Sequence, residues 1–510
     1  MQLSHRSAGL SATFEETNLV SAAGLVPAMA VAMKTGLGEL TDQRLSLPGY
    51  YGANAGLKVT ALVAGMVAGA DSIDDMAILR HGGMKKLFTG AYAPSTLGSF
   101  LRTFTFGHVR QLDAIASRWL TNLATAAPIA AGIDDYALVD IDDTIKEVHG
   151  YQKQGAGYGY SGVRGLNALI GIVSTKTSAP VIIGSRLRKG ATGSPRGAGK
   201  FVSDVLATVG RLRSASASGL VLLRADSAFY GQAVVAAAHR AGAKVSITAR
   251  MDPAVKRAIA TITDNSWTTI QYTDAIRDEA TGEWISSAEV AEVTFTAFNS
   301  RKKAERVVGR LVVRRIPELN GFEGAGQPTL FDTHRFHAFF TTSELDTVTA
   351  DKTHRQHAII EQVNADLKDS ALGHLPSGTF TANAAWLVLA TIAFNLSRAI
   401  GTLAGTDLGK ARSGTIRRKL IQIPARLSTS ARKIVLHLPS VGPGKPDGKR
   451  CSRRPADRPE QRPSDHPAAR HDRTRNITGS KAGPFTKPTN RKLRSHPSDP
   501  SHPSRPVDPG

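Results

Sequence analysis

The sequence holds a single cysteine, Cys451, in 510 residues. One thiol closes no intramolecular disulfide and supplies no multi-cysteine zinc site, which suits a reducing compartment. The 15 histidines are scattered without the paired spacing of zinc ligands. Long hydrophobic runs are missing as well. The longest apolar stretches, Leu62 to Ala70 and Ala384 to Ala393, fall short of the roughly 20 residues that a membrane-spanning helix needs. The first residues, MQLSHRSAGLSATFEETNLV, show no basic start followed by an apolar core, so no secretory signal is expected. A soluble, cytoplasmic protein with no membrane partner is the expectation. Acids are also few: 42 Asp and Glu stand against 64 Lys and Arg, for a formal charge of +22. That excess favours a polyanionic partner such as nucleic acid. Residues 441–510 contain 16 Lys or Arg and 7 Asp or Glu and account for +9, so the preceding 440 residues keep +13.

What is present divides the chain by texture. Residues 1–131 read as a helical N-terminal region, because Ala, Leu, Val and Met recur at three- and four-residue spacing, with Ser95 as a candidate cap. Basic positions there (Arg80, Lys85, Lys86, Arg102, Arg110) suit DNA contact and equally suit an ordinary charged helix surface. In residues 132–251 the pattern changes to strands: YALVDID, ALIGIVS and APVIIGSRLRKG, then the helical FVSDVLATVGRLRS, the strand GLVLLRADS, the helix QAVVAAAHRAG and the strand KVSITAR. Three strands joined as hairpins, then helix, strand, helix, strand, is the order of an RNase H-like core, an order that other α/β domains share. Residues 252–345 read as a β-rich insertion with strands in WTTIQYTDAI, AEVAEVTFTAF and RVVGRLVVRRI. Residues 346–439 return to helix, with one predicted from about Thr353 to Leu367, an apolar one in ANAAWLVLATIAFNLSRAIG, and helical, basic sequence from Gly409 to Ala431. Residues 440–510 carry 13 of the 25 prolines within positions 441–510 and lose hydrophobic periodicity, as a disordered tail does. The expected fold is therefore α/β: a mixed RNase H-like sheet flanked by helices, with a β-rich insertion, a helical N-terminal domain and a disordered C-terminal tail.

Three carboxylates stand out by position. Asp142 ends the first apolar strand, Asp226 ends the fourth, and Glu361 lies on the helix after the insertion. In an RNase H-like sheet the first and fourth strands are neighbours, so the two aspartates meet at one edge with the glutamate helix beside them. Carboxylates gathered in a cleft repel unless a cation sits among them, and hard oxygen ligands suit Mg²⁺ or Mn²⁺. Two such ions about 3.5–4 Å apart serve in-line phosphoryl transfer. The competing reading is that strand-end aspartates cap turns and that Glu361 is an ordinary exposed helix residue.

LVDIDDTIKEVHGYQKQGAGYGYSGVRG, LLRADSAFYG and HRQHAIIEQVNADLKDSALGHLPSGTFTANAAWLVLATIAFNLSRAIG resemble, in that order, the three catalytic blocks of bacterial insertion-sequence transposases with a DDE site and an RNase H-like core. The resemblance runs from about Phe14 to Pro439. It implies that Asp142, Asp226 and Glu361 are the catalytic metal ligands for two Mg²⁺ or Mn²⁺ ions. It selects Asp142 over Asp140, because the family's aspartate sits two residues before a threonine, here Thr144. It also implies double-stranded DNA as partner, both the element's terminal inverted repeats and the target, and a homodimer, since two ends are recombined. Around the glutamate the family has Tyr, Arg and Lys; this chain has His354, His357 and Lys368, so only the last matches. A neutral imidazole lacks the fixed charge and fork of arginine, so weakened DNA contact or cleavage is expected here.

Two further groups are candidates for DNA contact. In VHGYQKQGAGYGYSGVRG, glycine-freed amides with Lys153 and Arg164 suit phosphates, and Tyr158 or Tyr160 suits stacking on an unpaired base; an ordinary flexible hairpin explains the same residues. Trp267 and Trp284 lie in the insertion, where related transposases use a tryptophan to fill the place of a flipped base, and where core packing is the plainer role.

The tail yields a prediction of its own. The family continues past HLP with an aromatic-rich ending, whereas this chain continues SVGPGKPDGKRC. Codons chosen for VGPGKPDGKRC read WPWETGWQTL in a neighbouring frame, which resembles that ending. A one-base shift near Ser440 then accounts for the tail, and its charge is no DNA-binding device. Sequencing the gene across codon 440 should find that tryptophan-rich reading; its absence in both other frames removes the explanation.

Overall fold

The computed structural model describes residues 11–88, 90–277, 284–317, 334–430 and 433–440. The expected disordered tail lies outside them, apart from Ser440. Apolar residues at helical spacing form α1 (Ala55–Ala68) and α2 (Phe106–Ala126) of the N-terminal region. Ser95 does not cap its helix, which starts one residue earlier with Pro94 at its first position, where a missing N–H costs nothing. These helices do not pack among themselves alone. Trp119 of α2 is fully buried and donates its indole N–H to Thr35 Oγ1 at 2.8 Å, and Ser117 meets Thr208 of the sheet-covering helix Ala198–Leu212 at 2.8 Å. One continuous apolar core runs from Val20 to Leu427.

The sheet follows the order expected of an RNase H-like core. β1 (Tyr136–Glu147), β2 (Arg164–Ser174) and β3 (Val181–Lys189) are joined antiparallel; then come α3 (Ala198–Leu212), β4 (Leu220–Ala225), α4 (Gln232–Arg240) and β5 (Lys244–Thr248). β4 runs parallel to both β1 and β5, giving the order β3-β2-β1-β4-β5. Gly171 and Gly184 let α3 sit close, since a Cβ at either would come within 2.8 Å of Val205. β3 is an edge strand, and Asn395 closes it: its side chain accepts from Ile182 N–H at 2.9 Å and donates to Ile182 C=O at 2.8 Å.

Past β5 the sheet continues through β6 (Thr268–Arg277), β7 (Trp284–Ala297), β8 (Val307–Pro317) and β9 (His334–Thr341). Within this segment the strand missed in the sequence is β9. Its alternation of buried Phe336, Ala338 and Phe340 was a readable signal, and by pairing with β5 (Phe339 opposite Thr248) it fuses the β-rich segment to the central sheet.

The helix predicted from Thr353 to Leu367 is two helices, α5 (Thr347–Arg355) and α6 (Ile359–Lys368), separated by a 3₁₀ turn at Gln356–Ala358. α7 (Phe380–Ala404) is longer than its apolar stretch suggested; it has the length and composition to cross a membrane, but 89% of its most apolar window is buried inside the protein. The helical sequence expected up to Ala431 gives way to strands Ala425–Ser430 and Lys433–His437, because the first of them pairs with Leu19–Val20 near the other end of the chain.

Candidate active site

β1 brings three acids to the middle of the sheet, and their surroundings separate them. Asp140 is fully buried and held by Arg224, its neighbour across the parallel β1–β4 pairing, through Nε to Oδ1 and Nη2 to Oδ2, both 2.7 Å. His357 Nδ1 meets the same Oδ1 at 2.9 Å. Burial works to raise the Asp140 carboxyl, but the Arg224 guanidinium and the hydrogen bonds from His357 and Arg224 outweigh it and hold the carboxyl below the ordinary range. Asp143 points to the opposite face, as strand alternation requires. There it accepts from Arg188, from Asn167 Nδ2 at 2.7 Å and from Ser194 Oγ at 3.1 Å. Asp142 has no ion-pair partner among the described residues; its one side-chain hydrogen bond among them comes from Asn364 of α6, which donates Nδ2 to Oδ2 at 2.9 Å.

Asp142 and Asp226 lie two residues beyond the Asp140–Arg224 pair on adjacent parallel strands. Burial, together with the charges of Asp226 and Asp143, pushes the Asp142 carboxyl up to about 6. Asp226 stands open to solvent at the strand end and caps the following turn by accepting from Ala228 N–H at 3.1 Å, yet the protein around its carboxyl still raises it. His357 lies near both acids, where a protonated imidazole pulls both the other way.

Glu361 is exposed in the first turn of α6, one helical turn before Asn364. Among the described residues no three His, Cys, Asp or Glu side chains stand close enough together to hold an ion. The structure thus brings two of the three expected carboxylates together and leaves the third on the adjoining helix. The donor set still fits a hard cation: two carboxylates raised by burial face each other, and the Asn364 Oδ1 beside them is a buried carbonyl oxygen with no partner.

Lys368 ends α6 half-buried. Burial and the nearby Lys146 lower its ammonium, against the pull of Asp142. Lys146 follows Asp142 at even spacing on β1, so the two share a face, and that alternation was the signal by which it was findable. Asn364 lies three residues past Glu361 and so on the same side of α6.

The remaining candidates lie in other settings. His354 is stacked on Phe339 at 4.1 Å with its ring nitrogens on Ser246 Oγ (2.9 Å) and Thr248 Oγ1 (3.1 Å). Burial first, then His357 and nearby arginines, depress it to about 3, so it is neutral. The 3₁₀ turn also interrupts the helical face it was expected to share with Glu361 and Lys368. Arg355 turns away to Asp351 at 2.8 Å and Tyr272. Lys153 is tied to the carbonyls of Leu375 and Ser377, and Arg164 to that of Gly150 with its guanidinium 5.1 Å from the Tyr151 ring. Tyr158 and Tyr160 are exposed. Trp267 packs against Phe336 with Arg315 4.3 Å from its ring, and the Trp284 side chain lies outside the described residues.

The raised Asp142 carboxyl fixes a pH dependence. Asp142 contributes most favourably to the stability of the metal-free fold while it is protonated, and that contribution is lost as pH rises from the ordinary value of 3.8 through about 6. At pH 7.5 the cost of the ionised carboxylate is on the order of 3 kcal/mol. Asp142→Asn should therefore stabilise the metal-free protein at pH 7.5 and have little effect at pH 4 in denaturant titrations; equal stability at both pH values contradicts the assignment.

Residues 4–451 match the transposase DDE domain group 1 family. No curated protein matches the chain. The match takes in the whole sheet, both acid-bearing strands and helices α5 to α7. Because it spans nearly the whole chain, the protein belongs to the transposase DDE domain group 1 family, a family of DNA-binding phosphoryl-transfer enzymes that generally use divalent metal.

Proposed function

We propose that the protein is the transposase of an insertion sequence, binding its terminal inverted repeats as a homodimer and catalysing metal-dependent strand cleavage and strand transfer. The observation that carries this reading is the isolation of Asp142. It is the one acid of the β1 trio without a cation of its own, it faces Asp226, and an unpartnered amide oxygen lies beside it.

Asp142, Asp226 and Glu361 are the ligands in this reading, and Asn364 orients Asp142 by occupying one of its oxygens so that the other is free to coordinate. Bound Mg²⁺ or Mn²⁺, two ions per site, would supply the charge that activates the attacking hydroxyl or water and stabilises the leaving oxygen. Lys146 and Lys368 hold the phosphate backbone beside the acids, where their mutual repulsion is relieved by an anion. His357, next to the acids, donates to the same strand when protonated. Tyr158 and Tyr160 offer exposed rings for an unpaired base.

A second reading is a catalytically impaired copy that competes for the same DNA ends. The position of Glu361 apart from the acid pair and the engagement of both His354 nitrogens favour it.

End-repeat DNA incubated with the protein and Mn²⁺ should yield nicked and joined products. Asp142→Ala should reduce them to background and spare binding, whereas activity surviving that change defeats the site assignment. Binding without any nicking by the wild type selects the impaired copy. Removing both Lys146 and Lys368 should lower the slope of log K against log salt by about 2; an unchanged slope removes them from the DNA path.

A further inference from the structure

The buried guanidinium of Arg224, on β4, reaches both β1 and α5, the helix that leads into α6. Its Nε and Nη2 hold Asp140 two residues before Asp142, and its own strand reaches Asp226 two residues on. Its third arm, Nη1, donates to the carbonyl of Thr353 in the last turn of α5 at 2.5 Å. In an unbroken α-helix that carbonyl would accept the N–H of residue 357. Here the α-helix ends two residues later, and residue 357 lies in the 3₁₀ turn that redirects the chain into α6. The imidazole of that same residue returns to Asp140 at 2.9 Å. The last turn of α5 and the middle of the 3₁₀ turn are thus both pinned to one buried ion pair, and Glu361 stands in the first turn of the helix that follows, four residues after His357.

Resting on the transposase reading, we infer that Arg224 is a positioning residue, which through Asp140 and the Thr353 carbonyl sets where the Glu361 helix stands relative to Asp142 and Asp226. A guanidinium suits this task because its planar fork serves a carboxylate with two arms while a third addresses a carbonyl; a lysine ammonium has no such fork. Arg224 touches neither the DNA nor the metal in this role.

The test must separate positioning from stability, because removing one partner strands a buried charge. Replacing both partners together, Asp140→Leu with Arg224→Met, leaves an apolar pair of similar volume, and such exchanges are often neutral for folding. In the full-length protein this double variant should melt near the wild-type temperature and bind end-repeat DNA as before. Hydrogen exchange of residues 356–368 should then quicken by about tenfold or more while β1 and β4 stay protected, and Mn²⁺-dependent cleavage should fall. Glu361→Gln should weaken Mn²⁺ binding in the wild-type background and have no effect in the double variant, a coupling that a purely structural role would not produce. Unchanged exchange on 356–368, or an undiminished Glu361→Gln effect, overturns the inference whatever the cleavage rate. Loss of the tie with cleavage intact overturns it too, and leaves the transposase reading standing. If the double variant fails to fold, the comparison moves to Arg224→Lys, which keeps the buried charge; normal exchange on 356–368 in that variant also overturns it.

Discussion

The Asp140–Arg224 pair is the constraint on which the site depends. Two charges with no solvent exposure are tolerated only because each oxygen and each nitrogen facing the interior is satisfied, and the geometry that satisfies them is demanding. It fixes the register of β1 against β4, and that register puts Asp142 beside Asp226. By taking the Thr353 carbonyl and receiving His357, it also decides where α5 stops and where α6 starts. The chemistry of the front of the sheet is thus set by an interaction one layer beneath it.

The same economy of charge runs along β1. Asp140 and Asp143 each have an arginine, on opposite faces of one strand, and both carboxylates are spent on holding the structure. Asp142 between them has an amide and a like-charged neighbour. A protein that buries a carboxylate, denies it a cation and places another acid beside it has built a site that gains from a divalent ion. The lysines at 146 and 368 complete an alternation of sign suited to a metal and a phosphodiester side by side.

The strand and helix order was legible because β1 to β5 and their helices are apolar and bounded by clear turns, and the strand-end position of Asp226 followed from that order; Asp142, expected at the end of its strand, lies within it, because pairing with β2 carries β1 on to Glu147. What the sequence concealed were features made by distant partners. The break between α5 and α6 has no glycine or proline to announce it; it is made by a side chain 129 residues away. The helical-wheel argument linking residues 354, 361 and 368 failed for that reason. The role of His354 was equally hidden, since only the folded sheet brings Ser246, Thr248 and Phe339 around its ring. Asn364 was missed because a lone asparagine on a helix carries no signal until an acid faces it, and β9 because its alternation sits next to a turn-rich stretch. The strand at Ala425–Ser430 reads as helical sequence and is held extended by a partner more than 400 residues earlier.

The central claim is that Asp142 and Asp226, with Glu361 joining from α6, hold divalent metal for DNA strand chemistry. Anomalous diffraction from crystals of the protein bound to end-repeat DNA and Mn²⁺ tests it most directly. The account predicts Mn²⁺ peaks about 2.1 Å from carboxylate oxygens of Asp142 and Asp226, with Glu361 drawn into the same coordination shell. Peaks held by other residues, or an acid pair that stays free of metal beside a bound phosphodiester, would contradict it.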